Sequence, residues 1–207
     1  MKPHVYPVFA SPVTVFIVED DYSDLVKLKK LSYTSSKEIG AEKSHTTSDK
    51  YVLNSLPEIK NLFSNYFSNF KNTILGLQTT DFMMTTSWGT KTDKNGFCQF
   101  HNHKNSVYSA VFYYDEINSG NLEFLSPILN LESVQLNESS SDNFLFSKSF
   151  YVEPQKGLLV FFPSYLMHRI TKNNSKNSRY SLAMNFFPTG EIGSGDSSIK
   201  LLSLIHI

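Results

Sequence analysis

A single cysteine, Cys98, is all the thiol that 207 residues contain. That excludes an internal disulfide and a thiolate metal cluster, so a reducing, cytoplasmic setting is expected and any metal must be held by nitrogen and oxygen. A surplus of charge is missing as well: 19 Lys and Arg face 19 Asp and Glu. No overall field exists to hold a polyanion or an anionic membrane surface, which argues against a nucleic acid partner. Long apolar runs are lacking too, and no stretch approaches the roughly 20 residues of a membrane span. The opening MKPHVYPVFASPVTVF has three prolines and no continuous apolar core of signal-peptide length. With 40% hydrophobic residues, the chain can bury one sizeable core and is too short for two large domains.

Aromatics are plentiful, and their spacing organises the chain. Val13 to Val18 forms a short strand candidate, Asp20 and Asp21 offer N-cap chemistry for a helix through YSDLVKLKKL, and SYTSSKEIGAEKSHTTSDK has the composition of a loop. Pro57 stands at a plausible first helical turn, and Ile59, Leu62, Phe63, Tyr66, Phe67 and Phe70 then recur at three- and four-residue spacing. Such a stripe is expected to pack against a sheet. From Phe82 onward the texture turns to short β-branched and aromatic runs, GFCQFHNH, SVYSAVFYY, GLLVFFP and RYSLAMNFF among them, separated by Gly, Asn, Ser and Pro. About eight strands at this spacing predict a sandwich or barrel with the helices over one outer face.

Two histidines, His101 and His103, stand one residue apart in GFCQFHNH. In a strand they would project from one face and could grip one metal ion, although an H-x-H triplet also suits a surface pair. His168 ends an apolar run, where a polar residue needs a partner or a task. In RYSLAMNFF, alternation sends Arg179, Ser181, Ala183 and Asn185 to one face and Tyr180, Leu182, Met184 and Phe186 to the other. A guanidinium and a hydroxyl two residues apart suit a carboxylate. Tyr108, Ser109, Tyr113, Trp88 and Asn185 are further candidates for co-substrate contact, with packing as the plainer use of each.

The order H-x-H, about 65 residues, His168, ten intervening residues, then Arg179 and Ser181 as R-x-S resembles the iron(II)- and 2-oxoglutarate-dependent oxygenases. More narrowly, HNHKNSVYSAVFYY and GLLVFFPSYLMHRI…RYSLAMNFF are similar to the bacterial and phage type with H-x-H-x-N-S and F-P-S-x-x-x-H blocks. The resemblance covers Thr86 to Phe187. It implies a double-stranded β-helix, or jelly roll, with iron(II) on His101, His103 and His168. Arg179 and Ser181 would bind 2-oxoglutarate as co-substrate, and an unknown substrate, a small molecule or a protein side chain, would be hydroxylated with release of succinate and CO2. His103 stands where most of these enzymes keep an aspartate or glutamate. An acid from elsewhere, Asp115 or Glu123, is the alternative, though Asp115 lies twelve residues on, about 40 Å along a continuous strand. A cupin-like dioxygenase that does not use 2-oxoglutarate and a non-catalytic β-sandwich are the competing readings. The implied division is a helical cover over 1–80, the β-helix core over 81–188 and a mobile tail over 189–207. Substrate contacts are expected in Ser32 to Lys50 and in Glu132 to Asn143.

Overall fold

The computed structural model describes residues 10–116, 119–128 and 147–201. The Glu132 to Asn143 insert, His4 and His206 lie outside them. Eleven strands are described: β1 (Thr14–Ile17), β2 (Tyr33–Ser35), β3 (Glu42–Thr47), β4 (Asp81–Phe97), β5 (Tyr108–Tyr113), β6 (Leu122–Leu125), β7 (Ser149–Val152), β8 (Leu158–Pro163), β9 (His168–Ile170), β10 (Arg179–Ile192) and β11 (Ile199–Leu201). They form a large sheet in the order β1-β8-β5-β10-β4-β3-β2, with β11 on the end of β10, and a small sheet β7-β6-β9. No helix among the described residues is long and apolar enough to cross a membrane.

Alternation along β5, β8 and β10 builds two cores from one sheet. Ala110, Phe112, Leu159, Phe161, Leu182, Met184 and Phe186 face a helix, α1 (Pro57–Asn69), and the 3-10 turns, joining Ile59, Phe63, Phe67 and Phe70. Phe67 stacks on Phe186 with centroids 4.0 Å apart. The opposite residues, Val111, Tyr113, Leu158, Val160 and Phe162, meet Leu122, Phe124 and Val152 of the small sheet. Both faces of β8 are therefore covered, and all six of its residues are buried. This is the two-sheet jelly roll, with the helical stripe packed where its spacing predicts.

Three expectations are corrected. The stretch before residue 81 is not only a helical cover, because β1, β2 and β3 join the large sheet there. SYTSSKEIGAEKSHTTSDK looks like loop because its strand residues are hydroxylic, yet Ser44 and Thr47 are buried and Ser44 Oγ pairs with Thr92 Oγ1 at 3.2 Å. Thr47 Oγ1 in turn donates to Asp49 O at 2.7 Å, and such pairing removes the usual cost of burying a hydroxyl. The described part of the expected tail, 189–201, is a hairpin in which Gly190, Glu191 and Ile192 pair with Leu201, Lys200 and Ile199.

One irregularity decides what the inner face of the large sheet presents. Along β4 the pairing to β10 shifts between Asn185–Thr86 and Phe186–Met84, which leaves Thr85 as an extra residue. Such a bulge reverses facing, since side chains alternate with a period of two. Met84 joins the helix-side core, whereas Thr86, Trp88, Thr90 and Thr92 line a cavity on the other side.

Candidate metal centre

GFCQFHNH is not a regular strand, a further correction: β4 ends at Phe97 and His101 makes only an isolated bridge to His168. The backbone is nonetheless extended and held at alternate residues. His101 N–H donates to His168 O at 3.0 Å, His168 N–H returns the bond at 2.9 Å, and His103 N–H donates to Ser164 O at 3.1 Å. These bonds fix the residue-by-residue alternation that a strand would have supplied.

The three imidazoles converge, with one ring nitrogen of each within 4.8 Å of the others. Each Nδ1 is engaged elsewhere: His101 Nδ1 with Gln99 O at 3.0 Å, His168 Nδ1 with Leu166 O at 2.9 Å, and His103 Nδ1 with Asn185 Oδ1 at 2.7 Å. An oxygen that only accepts puts the proton on Nδ1 and leaves Nε2 with the free lone pair, the arrangement a metal requires. Burial lowers the proton affinity of all three rings; His103 is pushed down to about 4, and His168 lies well below the ordinary histidine value, with the neighbouring His101 and His103 adding to the effect. All three are neutral at pH 7, as ligands must be.

Neither alternative acid is present. Asp115 pairs with Lys29 at 2.8 Å, and Glu123, buried, accepts from Arg169 Nε at 2.5 Å and from the Tyr151 hydroxyl at 2.9 Å. Among the described residues the group able to hold a metal is His101, His103 and His168, without a carboxylate. Cys98 lines the same cavity, but burial raises its thiol pKa and its Sγ accepts from Ile170 N–H at 3.1 Å.

The cavity holds about 320 Å³, the size of a small-ligand site. Phe162, Leu122, Val111 and Ile170 form its apolar floor beside His168. Trp88 stands against His103 with ring centroids 5.4 Å apart. Ser36, Ser44, Thr46 and Lys50, from β3 and its flanks, make the remaining wall, so the Ser32 to Lys50 segment does border the cavity.

At the other end, Ser181 lines the cavity and shares a 2.6 Å hydrogen bond with Thr90 Oγ1. Arg179 is not among the lining residues; it sits on the same face of β10, 3% exposed. Its Nη1 donates to Gly120 O, while Nε and Nη2 are buried with no partner among the described residues. The Tyr113 hydroxyl is equally buried and unpaired, and the guanidinium carbon lies 5.8 Å from the centre of the Tyr113 ring. Burial raises the Tyr113 pKa to about 12, so the hydroxyl keeps its proton and can donate. An arginine fork with two free N–H edges beside a phenolic donor in an apolar interior fits a carboxylate better than any neutral group. Tyr108, by contrast, packs in the helix-side core, and Ser109 and Asn185 face His103. The side-chain contact between Asn185 and His103 left no trace in local sequence, since 82 residues separate them.

Comparison with known proteins agrees with this geometry. A family model described as "Putative 2OG-Fe(II) oxygenase" matches residues 86–185. No curated protein matches the sequence. Among solved structures, an oxidoreductase of the 2OG-Fe(II) oxygenase family from Burkholderia pseudomallei aligns with a TM-score of 0.60 at 11% identity, over 84% of this chain and 83% of that one. HygX from Streptomyces hygroscopicus, with nickel and 2-oxoglutarate bound, gives 0.56 at 13% identity over 86% and 84%. A Pseudomonas putida prolyl-4-hydroxylase gives 0.57 at 14% identity over 86% and 93%. At such identities the neighbours speak for the fold, the double-stranded β-helix, while the matched segment contains all three histidines, Arg179 and Ser181. Over residues 86–185 the chain is similar to the iron(II)- and 2-oxoglutarate-dependent oxygenases.

Proposed function

We propose that His101, His103 and His168 hold the iron through Nε2 and that Arg179, with Ser181 and the Tyr113 hydroxyl beside it, binds the distal carboxylate of 2-oxoglutarate. Iron(II) in that position supplies the activation of dioxygen that couples decarboxylation of the oxo acid, to succinate and CO2, to hydroxylation of a C–H bond. The chain's own part is positional. Three neutral imidazoles bring no negative charge, so the centre attracts an anionic oxo acid more strongly than a site with a carboxylate ligand would. Arg179 fixes the far end of that acid by paired charge-assisted bonds. Phe162, Val111, Leu122 and Ile170 keep water from the cavity, which strengthens each of these interactions. The cavity volume of about 320 Å³ supports a small molecule or a single protein side chain as substrate, entering past Glu38 and Lys50. A cytoplasmic setting belongs to the same proposal, supported by the lone unpaired Cys98.

The observation that carries this reading is the pair of unpartnered guanidinium nitrogens buried in the same fold as three converging imidazoles. The test is succinate formation from 2-oxoglutarate by purified protein with iron(II) and ascorbate. Succinate is expected above the level of the His168→Ala variant, which falls to background. Equal succinate from both proteins removes the reading.

A further inference from the structure

Behind His103 lies a connected system of hydrogen bonds that metal and co-substrate do not touch. Asn185 Oδ1 stands 2.7 Å from His103 Nδ1 and 2.8 Å from Ser109 Oγ. Ser109 Oγ is also 2.9 Å from His103 Nδ1 and 2.7 Å from Ser164 Oγ. Ser164 donates to Ser106 Oγ at 2.9 Å, and Ser106 donates to the carbonyls of Tyr108 at 2.8 Å and Phe186 at 3.2 Å. Ser109 and Ser164 are fully buried. The β4 bulge seats the other partner, with Thr85 Oγ1 donating to Asn185 O at 3.3 Å.

The direction of these bonds matters more than their number. Carbonyl oxygens only accept, so Ser106 must donate to them, and a hydroxyl has one proton, so Ser164 must donate to Ser106. Ser109 must likewise donate to Ser164, so its Oγ is left to accept from His103 Nδ1–H, 2.9 Å away. An amide oxygen 2.7 Å from Nδ1 requires a proton on Nδ1, and the Nε2 lone pair is thereby aimed away from the network.

A carboxylate ligand would need no such device, because either oxygen offers a lone pair in any orientation. An imidazole does need one: the wrong tautomer, or a ring turned about its Cβ–Cγ bond, presents N–H to the ion. His101 and His168 each rely on one backbone carbonyl, and the ligand at the unusual position alone receives a side-chain network.

We infer that Asn185, together with Ser109 as oriented by the Ser164–Ser106 relay, is the positioning residue that makes His103 a metal ligand in place of a carboxylate. This rests on the three-histidine reading of the site. It assigns a task to the serine of the H-x-H-x-N-S block, to the serine of the F-P-S block and to Asn185, none of which touches metal or oxo acid.

The test uses cobalt(II) alone, titrated into the metal-free protein and followed by calorimetry and visible absorption. Wild type binds one equivalent and His168→Ala binds none; a wild type without cobalt binding removes the three-histidine reading, and this inference with it. Asn185→Leu is expected to weaken cobalt affinity about 10- to 100-fold and to alter the visible spectrum. Asn185→Asp, which keeps the acceptor, binds at least as tightly as wild type, an outcome that a merely structural asparagine would not give. Wild-type affinity and spectrum in Asn185→Leu, or an equal loss in Asn185→Asp, overturns the inference. Where Asn185→Leu does not fold, Ser109→Ala carries the test: weakened cobalt binding supports the relay and wild-type affinity overturns it.

Discussion

The histidine cluster and the surroundings of Arg179 are finished to different degrees. At the histidine end every Nδ1 has an acceptor, and the backbone of His101 and His168 is bonded both ways. At the arginine end Nε and Nη2 of Arg179 and the hydroxyl of Tyr113 are buried without partners among the described residues. One end is complete without a ligand, and the other carries buried donors without acceptors among the described residues. Buried polar groups are normally paired. On the proposed function, the first end is preorganised by the protein and the second is completed by the oxo acid.

That contrast can be broken most sharply at Arg179. Replacing it by leucine is expected to weaken 2-oxoglutarate binding by about 3 kcal/mol, on the order of 100-fold, with cobalt binding kept. Calorimetry with each ligand separates the two. Unchanged oxo acid affinity would favour the cupin-like reading without 2-oxoglutarate. The same variant, free of oxo acid, should resist denaturant better than wild type by about 1–3 kcal/mol, because it removes donors buried without acceptors.

The histidine end should answer to pH where the arginine end does not. In the metal-free protein the three imidazoles have folded-state pKa values below the ordinary 6.5, with His103 at about 4. Above pH 6.5 neither folded nor unfolded chain binds protons there, and these groups contribute no slope. As pH falls from about 6.5 towards 4 the unfolded chain takes up protons that the folded chain refuses, so stability drops. Thermal unfolding with a chelator present should show the fall, and Arg179→Leu should show the same slope. The smallest expected effect belongs to Tyr113→Phe, which removes one neutral donor: about 0.5–1.5 kcal/mol of oxo acid affinity, read by the same calorimetry.

How far the sequence could be read follows from where its signals were local. In β5, β8 and β10 alternation is strong, and RYSLAMNFF alone separates a site face from a core face. The helical stripe of Ile59, Phe63, Phe67 and Phe70 was legible for the same reason, a regular period of large apolar groups. β2 and β3 were not, because their residues are largely hydroxylic or charged and the buried Ser44 pairs with Thr92, 48 residues along the chain. The β4 bulge at Thr85 was invisible too, although it sends Thr86 and Trp88 into the cavity. His101, His103 and His168 drew attention through spacing within two short blocks. The hold on His103 escaped notice because Ser109, Ser164 and Asn185 meet across 55 and 76 residues of chain.

The reciprocal bonds between the main chains of His101 and His168 have a practical meaning for anyone who would rework the centre. The spacing of those two positions belongs to the peptide backbone and survives whatever side chain stands on it. The site is thus a socket whose contacts can be exchanged singly, each new donor arriving at a place already surveyed by the fold.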